Sequence, residues 1–324
     1  MRAFSIPLRT RFRRVDRREG VLIEGPCGWG EFSPFPEYPP AVCARWLAAA
    51  REAATRPWPA PVRDRIPVNV TVPAIGPEQA HAMVSASGCA TAKVKVADPG
   101  QGPAEDLARV EAVRDALGSA GRLRIDANGA WDVDAAASMI RELDRFDLEY
   151  VEQPCATLEE MARLRRLVDV PLAADESVRT AEDPLRVAGL EAADLVVLKV
   201  QPLGGVHAAL AVAEAARLPV VVSSAVETSI GIAAGVALAA ALPELPYACG
   251  LGTVPLLAGD VVADPLTPVG GALPVRRPPV DETALARHEL HGAAARRLFD
   301  RLAAAERADR SGTGAGPPDE AADR

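Results

Sequence analysis

The chain has 324 residues, 49% of them hydrophobic and 25% charged, which is enough apolar surface for a large core and no compositional sign of general disorder. Its formal net charge of −8 argues against a nucleic-acid partner, because phosphate binding needs clustered positive charge. No apolar run reaches the length of about 18 residues that a membrane span needs, and the N-terminus lacks the apolar core of a signal peptide. We therefore expect a cytoplasmic protein. The five scattered cysteines form no C-x-x-C pair and are expected to be reduced thiols.

The first part of the chain consists of alternating, turn-rich segments. RAFSIPL, EGVLIEG and GWGEFS are followed by a helix-like AVCARWLAAAREAA and a proline-rich linker. These features predict a small α+β domain over residues 1–66. Barrel-like periodicity ends near Leu256, so we expect part of 257–300 to complete this domain. The polar, Gly- and Pro-rich end of the sequence predicts a disordered tail over residues 305–324.

Eight short β-branched runs alternate with helical segments from Pro67 onward. They are PVNVTVPA, AKVKVA, LRIDAN, LEYVEQP, PLAADE, LVVLKV, PVVVSSA and YACGLG. Repeated βα units of this kind predict an α/β protein with a parallel sheet and helices outside. Eight units predict closure into a TIM-type (β/α) barrel over residues 67–256, with an open doubly wound sheet as the alternative.

Lysine is rare in this sequence and falls only inside predicted strands. It occurs at Lys93, Lys95 and Lys199, so 36 − 3 = 33 of the basic residues are arginine. A buried lysine can lose its proton and act as a base, whereas arginine stays protonated. Strand residues two apart share a face, so Lys93 and Lys95 should both point into the barrel. The alternative is that the lysines extend from a barrel end or pair structurally with acids.

Three carboxylates end three consecutive predicted strands: Asp126, Glu152 and Asp175. The carboxyl ends of barrel strands form the active site, and three like charges there need a cation between them. Oxygen ligands without histidine or cysteine favour Mg²⁺. Helix capping or structural ion pairing is the alternative for each acid. Asn128 lies on the same face as Asp126 and could touch the metal or substrate, or cap the next helix.

The strand-end motifs together resemble the enolase superfamily. They are K-V-K on the second strand, D-A-N on the third, V-E-Q-P on the fourth, A-D-E-S on the fifth and L-K on the sixth. The resemblance covers about residues 1–290 and implies an enolase-like modified barrel with an N-terminal α+β capping domain. It also implies Mg²⁺ and a lysine base that forms an ene-diolate. GWGEFSPFPEY, RIDANGAW, VVSSAVETSIG and CGLGT resemble, more narrowly, the o-succinylbenzoate synthase family of menaquinone biosynthesis.

This resemblance implies roles for the candidate residues. Lys95 would be the base, Lys199 a cation opposite it, and Lys93 a neighbour that lowers the pKa of Lys95. The implied Mg²⁺ ligands are Asp126, Glu152 and Asp175. The candidate substrate-binding residues are Arg124, Asn128, Ser223, Ser224, Gly250 and Leu251. A structural ion pair is the alternative for Arg124, and a choice between the two serines stays open.

Other functions remain as alternatives at this stage. The reaction implied by the resemblance is syn-dehydration of 2-succinyl-6-hydroxy-2,4-cyclohexadiene-1-carboxylate to 2-succinylbenzoate. An N-acylamino acid racemase or dipeptide epimerase would use the same metal and both lysines. A metal-free aldolase would use Lys199 as a Schiff-base nucleophile. A non-catalytic scaffold has no need of inward lysines. The expected partner is a small-molecule carboxylate, and the chain could be a monomer or a homodimer. The charged loop 11–20 is either a substrate cover or a solvated hairpin tip.

Overall fold

A computed structural model describes residues 1–178 and 183–310. The N-terminal part is an antiparallel sheet in the order β1-β2-β3 with one helix on it. Its elements are β1 (Arg2–Phe12), β2 (Val15–Gly25), β3 (Gly28–Phe32) and α1 (Pro40–Thr55). Helix α1 packs very closely on β3, where a Cβ on Gly30 would lie 1.9 Å from the carbonyl oxygen of Ala50. Only glycine allows this approach.

The eight predicted strands form a closed parallel barrel, in which the last strand pairs with the first. This confirms the predicted fold class and removes the open-sheet alternative. The strands are β4 (Arg65–Val72), β5 (Thr91–Lys95), β6 (Arg122–Asp126), β7 (Leu148–Glu152), β8 (Leu172–Ala174), β9 (Leu195–Lys199), β10 (Val220–Ser223) and β11 (Cys249–Gly252).

Helices surround the barrel and bury one face of each strand. They are α2 (Pro77–Ser87), α3 (Pro103–Leu117), α4 (Val133–Leu143), α5 (Leu158–Arg165), α6 (Asp183–Gly189), α7 (Val200–Leu203), α8 (Val206–Ala216) and α9 (Ser229–Ala241), with 3₁₀ turns at Asp144–Phe146 and Val254–Leu256. Val94 and Ile125 face this helical layer and are buried in the main core. Because side chains alternate along a strand, their neighbours face the barrel interior. No helix in the described ranges is both long and apolar enough to cross a membrane.

The C-terminal region returns to the N-terminal sheet. It contains β12 (Ala272–Pro274), which pairs antiparallel with β4, and helices α10 (Glu282–Ala286) and α11 (Gly292–Arg310). Leu302 and Ala305 of α11 are buried in a core that includes Trp46 and Leu47 of α1. Burial of this face explains why the helix continues beyond 305, where we expected a disordered tail. The rest of that prediction, 311–324, lies outside the described residues.

Two carboxylates of the N-terminal domain bind the start of barrel helices. Glu52 of α1 accepts hydrogen bonds from the backbone N–H groups of Val206, at 2.6 Å, and His207, at 3.4 Å, at the start of α8. Glu31 of β3 accepts from Thr228 N–H, at 3.2 Å, and Gly231 N–H, at 3.0 Å, at the start of α9. Each satisfies N–H groups that the helix leaves unpaired, and each negative charge meets the positive end of a helix dipole.

Removal of the Glu52 carboxylate should weaken domain docking. Glu52→Ala leaves partly buried N–H groups of α8 without their acceptor, so we expect the free energy of unfolding to fall by about 1–2 kcal/mol. Urea denaturation measures this. The control is Glu160→Ala, which opens an exposed capping box within α5 and should cost about 0.5–1 kcal/mol. Equal losses in the two variants would contradict a special contribution of Glu52 to docking.

Candidate active site

A pocket opens at the carboxyl ends of the barrel strands, where the β1–β2 hairpin of the N-terminal domain covers it. Strand ends and hairpin contribute polar and apolar side chains to the same space. The lining residues are Phe12, Arg13, Phe35, Thr71, Lys93, Lys95, Asp126, Asn128, Lys199, Ser223, Ser224, Ala225, Val226, Gly250 and Thr253. All three lysines of the sequence line this pocket.

The lysines lie on opposite sides of the barrel. Lys93 and Lys95 project from β5, and Lys199 projects from β9, four strands further round. The Lys93 Nζ lies 2.6 Å from Glu152 Oε1 and 3.1 Å from Asp126 Oδ2. The Lys95 Nζ donates to the same Asp126 oxygen and to Asn128 Oδ1, at 2.6 Å. Lys199 is paired with Asp175. Each ammonium group therefore has a carboxylate partner.

The two lysines of β5 differ in acidity although they are two residues apart. Burial lowers the pKa of Lys93, but the charges of Glu152 and Asp126 outweigh this and raise it well above 10.5. Burial also lowers the pKa of Lys95, and here Lys93 adds a second lowering effect that Asp126 does not overcome. Lys95 is thus the lysine that more readily exists as the neutral amine, which is the form able to accept a proton, and Lys93 remains a cation beside it.

The three strand-end carboxylates are almost fully buried. Asp126 and Glu152 face each other in register on β6 and β7, and Asp175 follows the end of β8. Burial opposes ionisation of Asp126, yet Lys95 and Lys93 lower its pKa below the usual value. Burial together with the Asp126 charge raises the pKa of Glu152 to about 8. The lysines therefore do not fully compensate the negative charge at Glu152.

The donor set fits a hard divalent cation, although the carboxylates are not gathered around a common point. Within residues 1–178 and 183–310, no group of three or more His, Cys, Asp or Glu side chains lies close enough to hold a metal ion as placed. Lysine ammonium groups lie between the acids instead. Glu152 Oε2, however, is buried and has no hydrogen-bond partner in the described structure. An unsatisfied buried carboxylate oxygen and a deficit of positive charge both suit an added cation.

Gln153 holds two of the acidic strand ends together, a role that the sequence analysis missed. Its Oε1 accepts from the Asp175 N–H, at 2.9 Å, and its Nε2 donates to Ser177 Oγ, at 2.8 Å, and to Cys155 O, at 3.0 Å. The residue is fully buried with a φ of 39°. Its only signal in the sequence is a polar residue directly after a strand-end acid.

Ser223, Ser224 and Gly250 meet where the ends of β10 and β11 lie side by side. The Ser224 hydroxyl donates to Gly250 O, at 2.8 Å, and lies 2.9 Å from Thr253 Oγ1. A Cβ on Gly250 would lie 2.4 Å from Ser223 Oγ, so glycine is required beside this serine. Both serines line the pocket. Asn128 also lines it and donates to Glu176 Oε1, at 3.0 Å.

Two predicted substrate-binding residues are not among those that line the pocket, although for Leu251 the prediction concerned its backbone beside Gly250 and not its side chain. Arg124 is fully buried one layer below Asp126, paired with Glu149 and donating to Ala248 O at 2.7 Å. Alternation along β6 placed it correctly on the inner face but did not give its depth. The structure favours the ion-pair role for Arg124. Leu251 directs its side chain against Gly235 of α9, because it follows Gly250 and so faces outward.

The tip of the β1–β2 hairpin lies over the pocket. The Phe12 ring centroid is 5.4 Å from Lys95 Nζ, and the Arg13 guanidinium is 4.6 Å from the Phe35 ring. Both residues line the pocket. Of the two interpretations of the loop 11–20, the pocket cover therefore fits the structure, although its arginine-rich sequence is equally typical of an exposed tip.

This chain belongs to the enolase superfamily, and its fold is that of the superfamily. Residues 77–279 match the family model described as Enolase C-terminal domain-like, and residues 3–54 match Enolase N-terminal domain-like. Among solved structures, muconate lactonizing enzyme from Pseudomonas fluorescens complexed with muconolactone superposes with a TM-score of 0.78 at 24% identity, over 89% of this chain and 97% of that one. At that identity the likeness shows the fold alone.

Relatives with much higher identity carry a single name. The chain is 70% identical over 293 residues to o-succinylbenzoate synthase of Thermobifida fusca (strain YX), which is 90% of this chain and 92% of that protein. It is 53% identical over 284 residues to o-succinylbenzoate synthase of Mycolicibacterium smegmatis (strain ATCC 700084 / mc(2)155), 87% of each chain. The similarity therefore extends over both domains.

The different acidities of the lysines can be measured directly, because the chain has only three of them. Labelling with ¹³Cε-lysine gives three NMR signals that Lys→Arg variants assign. In EDTA, the Lys95 signal should titrate below the ordinary pKa of 10.5, while Lys93 stays protonated above it. Lys93→Met should move the Lys95 titration to higher pH, and Lys93→Arg, which keeps the charge, should move it less. A Lys95 pKa at or above 10.5 would contradict the prediction that Lys95 loses its proton more easily than an ordinary lysine.

Proposed function

We propose that this chain is an o-succinylbenzoate synthase, a hydro-lyase that converts 2-succinyl-6-hydroxy-2,4-cyclohexadiene-1-carboxylate to 2-succinylbenzoate. The observation that carries the proposal is the 70% identity to the Thermobifida fusca enzyme over nearly the whole chain. It is supported by a pocket lined by Lys95, whose pKa is lowered, by Lys199 from four strands further round and by Asp126, while the carboxylates of Glu152 and Asp175 are buried at neighbouring strand ends. Menaquinone biosynthesis, a cytoplasmic location and a monomeric or homodimeric state are parts of the same proposal.

Lys95 is proposed to remove the proton α to the substrate carboxylate. Burial and Lys93 favour its neutral form, which is the form that accepts a proton. The dehydration is syn, so the departing hydroxyl leaves from the face that Lys95 occupies. The protonated Lys95 can then give its proton to that hydroxyl, which departs as water. The ring gains aromatic stabilisation in this second step.

Asp126, Glu152 and Asp175 are proposed to hold Mg²⁺, as members of the superfamily generally do. The fit rests on their all-oxygen donor set, the unsatisfied Glu152 Oε2 and the incomplete charge compensation at Glu152. When bound, the ion would stabilise the negative charge that develops on the substrate carboxylate. Lys199 is proposed to add positive charge from the opposite side, and Ser223, Ser224 and Gly250, which line the pocket, are proposed to bind the succinyl group. Asn128 orients Lys95 through its Oδ1.

N-acylamino acid racemisation is the second candidate activity. The observation in its favour is that Lys199 also lines the pocket, opposite Lys95, so that two lysines could serve as bases on the two faces of one α-carbon. A synthase needs only the charge of Lys199. A racemase or dipeptide epimerase needs its proton.

The synthase activity should be lost without its base or its metal. With the purified protein and the cyclohexadiene substrate, absorbance should fall rapidly in Mg²⁺ and persist in EDTA. Lys95→Arg should reduce kcat by about 10³-fold or more, because arginine keeps the charge but does not accept the proton. The control is Arg122→Lys on the exposed start of β6, which should retain full activity. No turnover by folded, Mg²⁺-loaded wild-type protein would contradict the assignment.

Substitution of Lys199 should separate the two candidate activities. For a synthase, Lys199→Met should reduce kcat by about 10²- to 10³-fold, and Lys199→Arg should reduce it much less because the cation remains. For a racemase, Lys199→Arg should abolish α-deuterium exchange from one enantiomer of an N-succinylamino acid in D₂O and leave exchange from the other. If the Lys199 variants show these kcat losses with the cyclohexadiene substrate and no loss of deuterium exchange from a single enantiomer, the chain catalyses dehydration alone.

A further inference from the structure

One wall of the pocket is a short segment in a strained conformation. Residues 224–228 connect β10 to α9, and Ala225 and Val226 of this wall segment line the pocket. Val226 has a φ of 61°. A β-branched residue in the left-handed region is a conformational outlier, and such a residue persists only when its surroundings hold it there.

A buried arginine from the capping domain holds this wall segment. Arg18 lies on β2 and is 2% exposed. Its Nε donates to the Val226 carbonyl oxygen at 3.1 Å, and its Nη2 donates to Ser33 Oγ at 3.3 Å and to Ser33 O. The guanidinium also lies 4.3 Å from the centroid of the Phe35 ring. The hydrogen bonds to Ser33 and the contact with the Phe35 ring thus fix the orientation of the guanidinium that donates to Val226.

Two buried carboxylates surround this contact. Glu227 accepts a hydrogen bond from the Ala225 N–H at 2.7 Å, which holds the residue before Val226. Glu31 accepts from Ser33 Oγ, at 2.7 Å, and from the first N–H groups of α9. Both carboxylates are close enough to Arg18 to interact with its charge. The guanidinium therefore compensates buried negative charge at the same place where it holds the wall segment.

We propose that Arg18 is a positioning residue for substrate binding: it acts through the Val226 carbonyl to fix the pocket wall formed by Ala225 and Val226. Arg18 itself does not line the pocket, so it acts without touching substrate. The proposal rests on the proposed function. It implies that a residue of the capping domain fixes the conformation of a pocket wall formed by residues of the barrel.

The proposal separates binding from chemistry. The lysines and strand-end acids lie on β5 to β9 and at the end of β8, and none of them bonds to Arg18. Loosening the wall segment should weaken contacts that are equal in the ground state and the transition state. A loss of this kind raises KM and leaves kcat nearly unchanged.

The test compares Arg18→Met and Arg18→Lys with Arg277→Met. Arg277 is a matched control, because it also donates from a partly buried guanidinium to main-chain carbonyls of the capping domain, at Trp29 and Ala53, but lies away from the pocket. Arg18→Met should raise KM for the cyclohexadiene substrate about tenfold or more, since a charge-assisted hydrogen bond to a buried carbonyl is lost, with kcat within about threefold. Arg18→Lys should lie between wild type and Arg18→Met. Arg277→Met should lower Tm without changing KM.

A second readout needs no substrate. Hydrogen exchange followed by mass spectrometry should show faster exchange of the 222–231 peptide in both Arg18 variants and unchanged exchange there in Arg277→Met. Arg18→Lys keeps the positive charge, so it carries the test if Arg18→Met does not fold. Unchanged exchange in the 222–231 peptide would overturn the proposal, as would a fall in kcat with KM unaltered. If the wild type does not turn over the substrate, the exchange experiment still decides whether Arg18 holds the wall, and only the proposed function fails.

Discussion

The compensation of buried charge inside the barrel is the constraint on which the site depends. Each of three lysines lies within hydrogen-bonding distance of at least one of three carboxylates, and all six side chains are nearly removed from water. An unpaired charge at such depth would cost several kcal/mol, so the pairs must form when the barrel closes. The strand register that brings Lys95 opposite Asp126, and Asp126 opposite Glu152, is therefore also the register that makes the buried charges tolerable.

Incomplete compensation of the buried charges gives the two lysines of β5 different pKa values. A fully balanced cluster would hold every lysine protonated and leave no base. Here the charges of Glu152 and Asp126 raise the pKa of Lys93, while burial and the positive charge of Lys93 lower the pKa of Lys95. Two lysines on one strand thus differ in acidity because their neighbouring charges differ. An arginine at either place could not respond in this way, because its pKa is too high to be brought into range.

The parts of the structure that follow local periodicity could be predicted from the sequence, and those that depend on tertiary contacts could not. Eight strands, their closure and the inward direction of Lys93 and Lys95 follow from alternation and spacing. The depth of Arg124 inside the barrel could not be predicted, because alternation tells which face of the strand a side chain is on but not how far it lies from the strand end. The length of α11 was not predicted either: the helix continues to Arg310, and its buried residues Leu302 and Ala305 belong to the same core as α1.

The contacts between domains were the least accessible to sequence analysis. In the sequence, Arg18 is one of several charged residues in an arginine-rich hairpin, and Glu31 is a single acid in a turn-rich segment. Their partners are about 200 residues away, at Val226 and Thr228. Both side chains are buried only because the sheet of the capping domain lies against the start of α9. A sequence pattern within one element contains no signal for such a contact.

The charged cluster and the rest of the pocket wall come from different parts of the chain, so they can change separately when substrate preference changes. The groups that would remove and return the proton project from barrel strands and are fixed by their mutual charges. The groups that surround the rest of the substrate come from the hairpin, through Phe12 and Arg13, and from a wall segment that Arg18 holds. Substitution of Arg18 can therefore reshape the pocket without removing a contact of the charged cluster, whereas Phe12 lies 5.4 Å from the Lys95 Nζ and belongs to its surroundings. Substitutions in the cluster would alter the acidity of Lys95, because its pKa depends on the neighbouring charges as well as on burial.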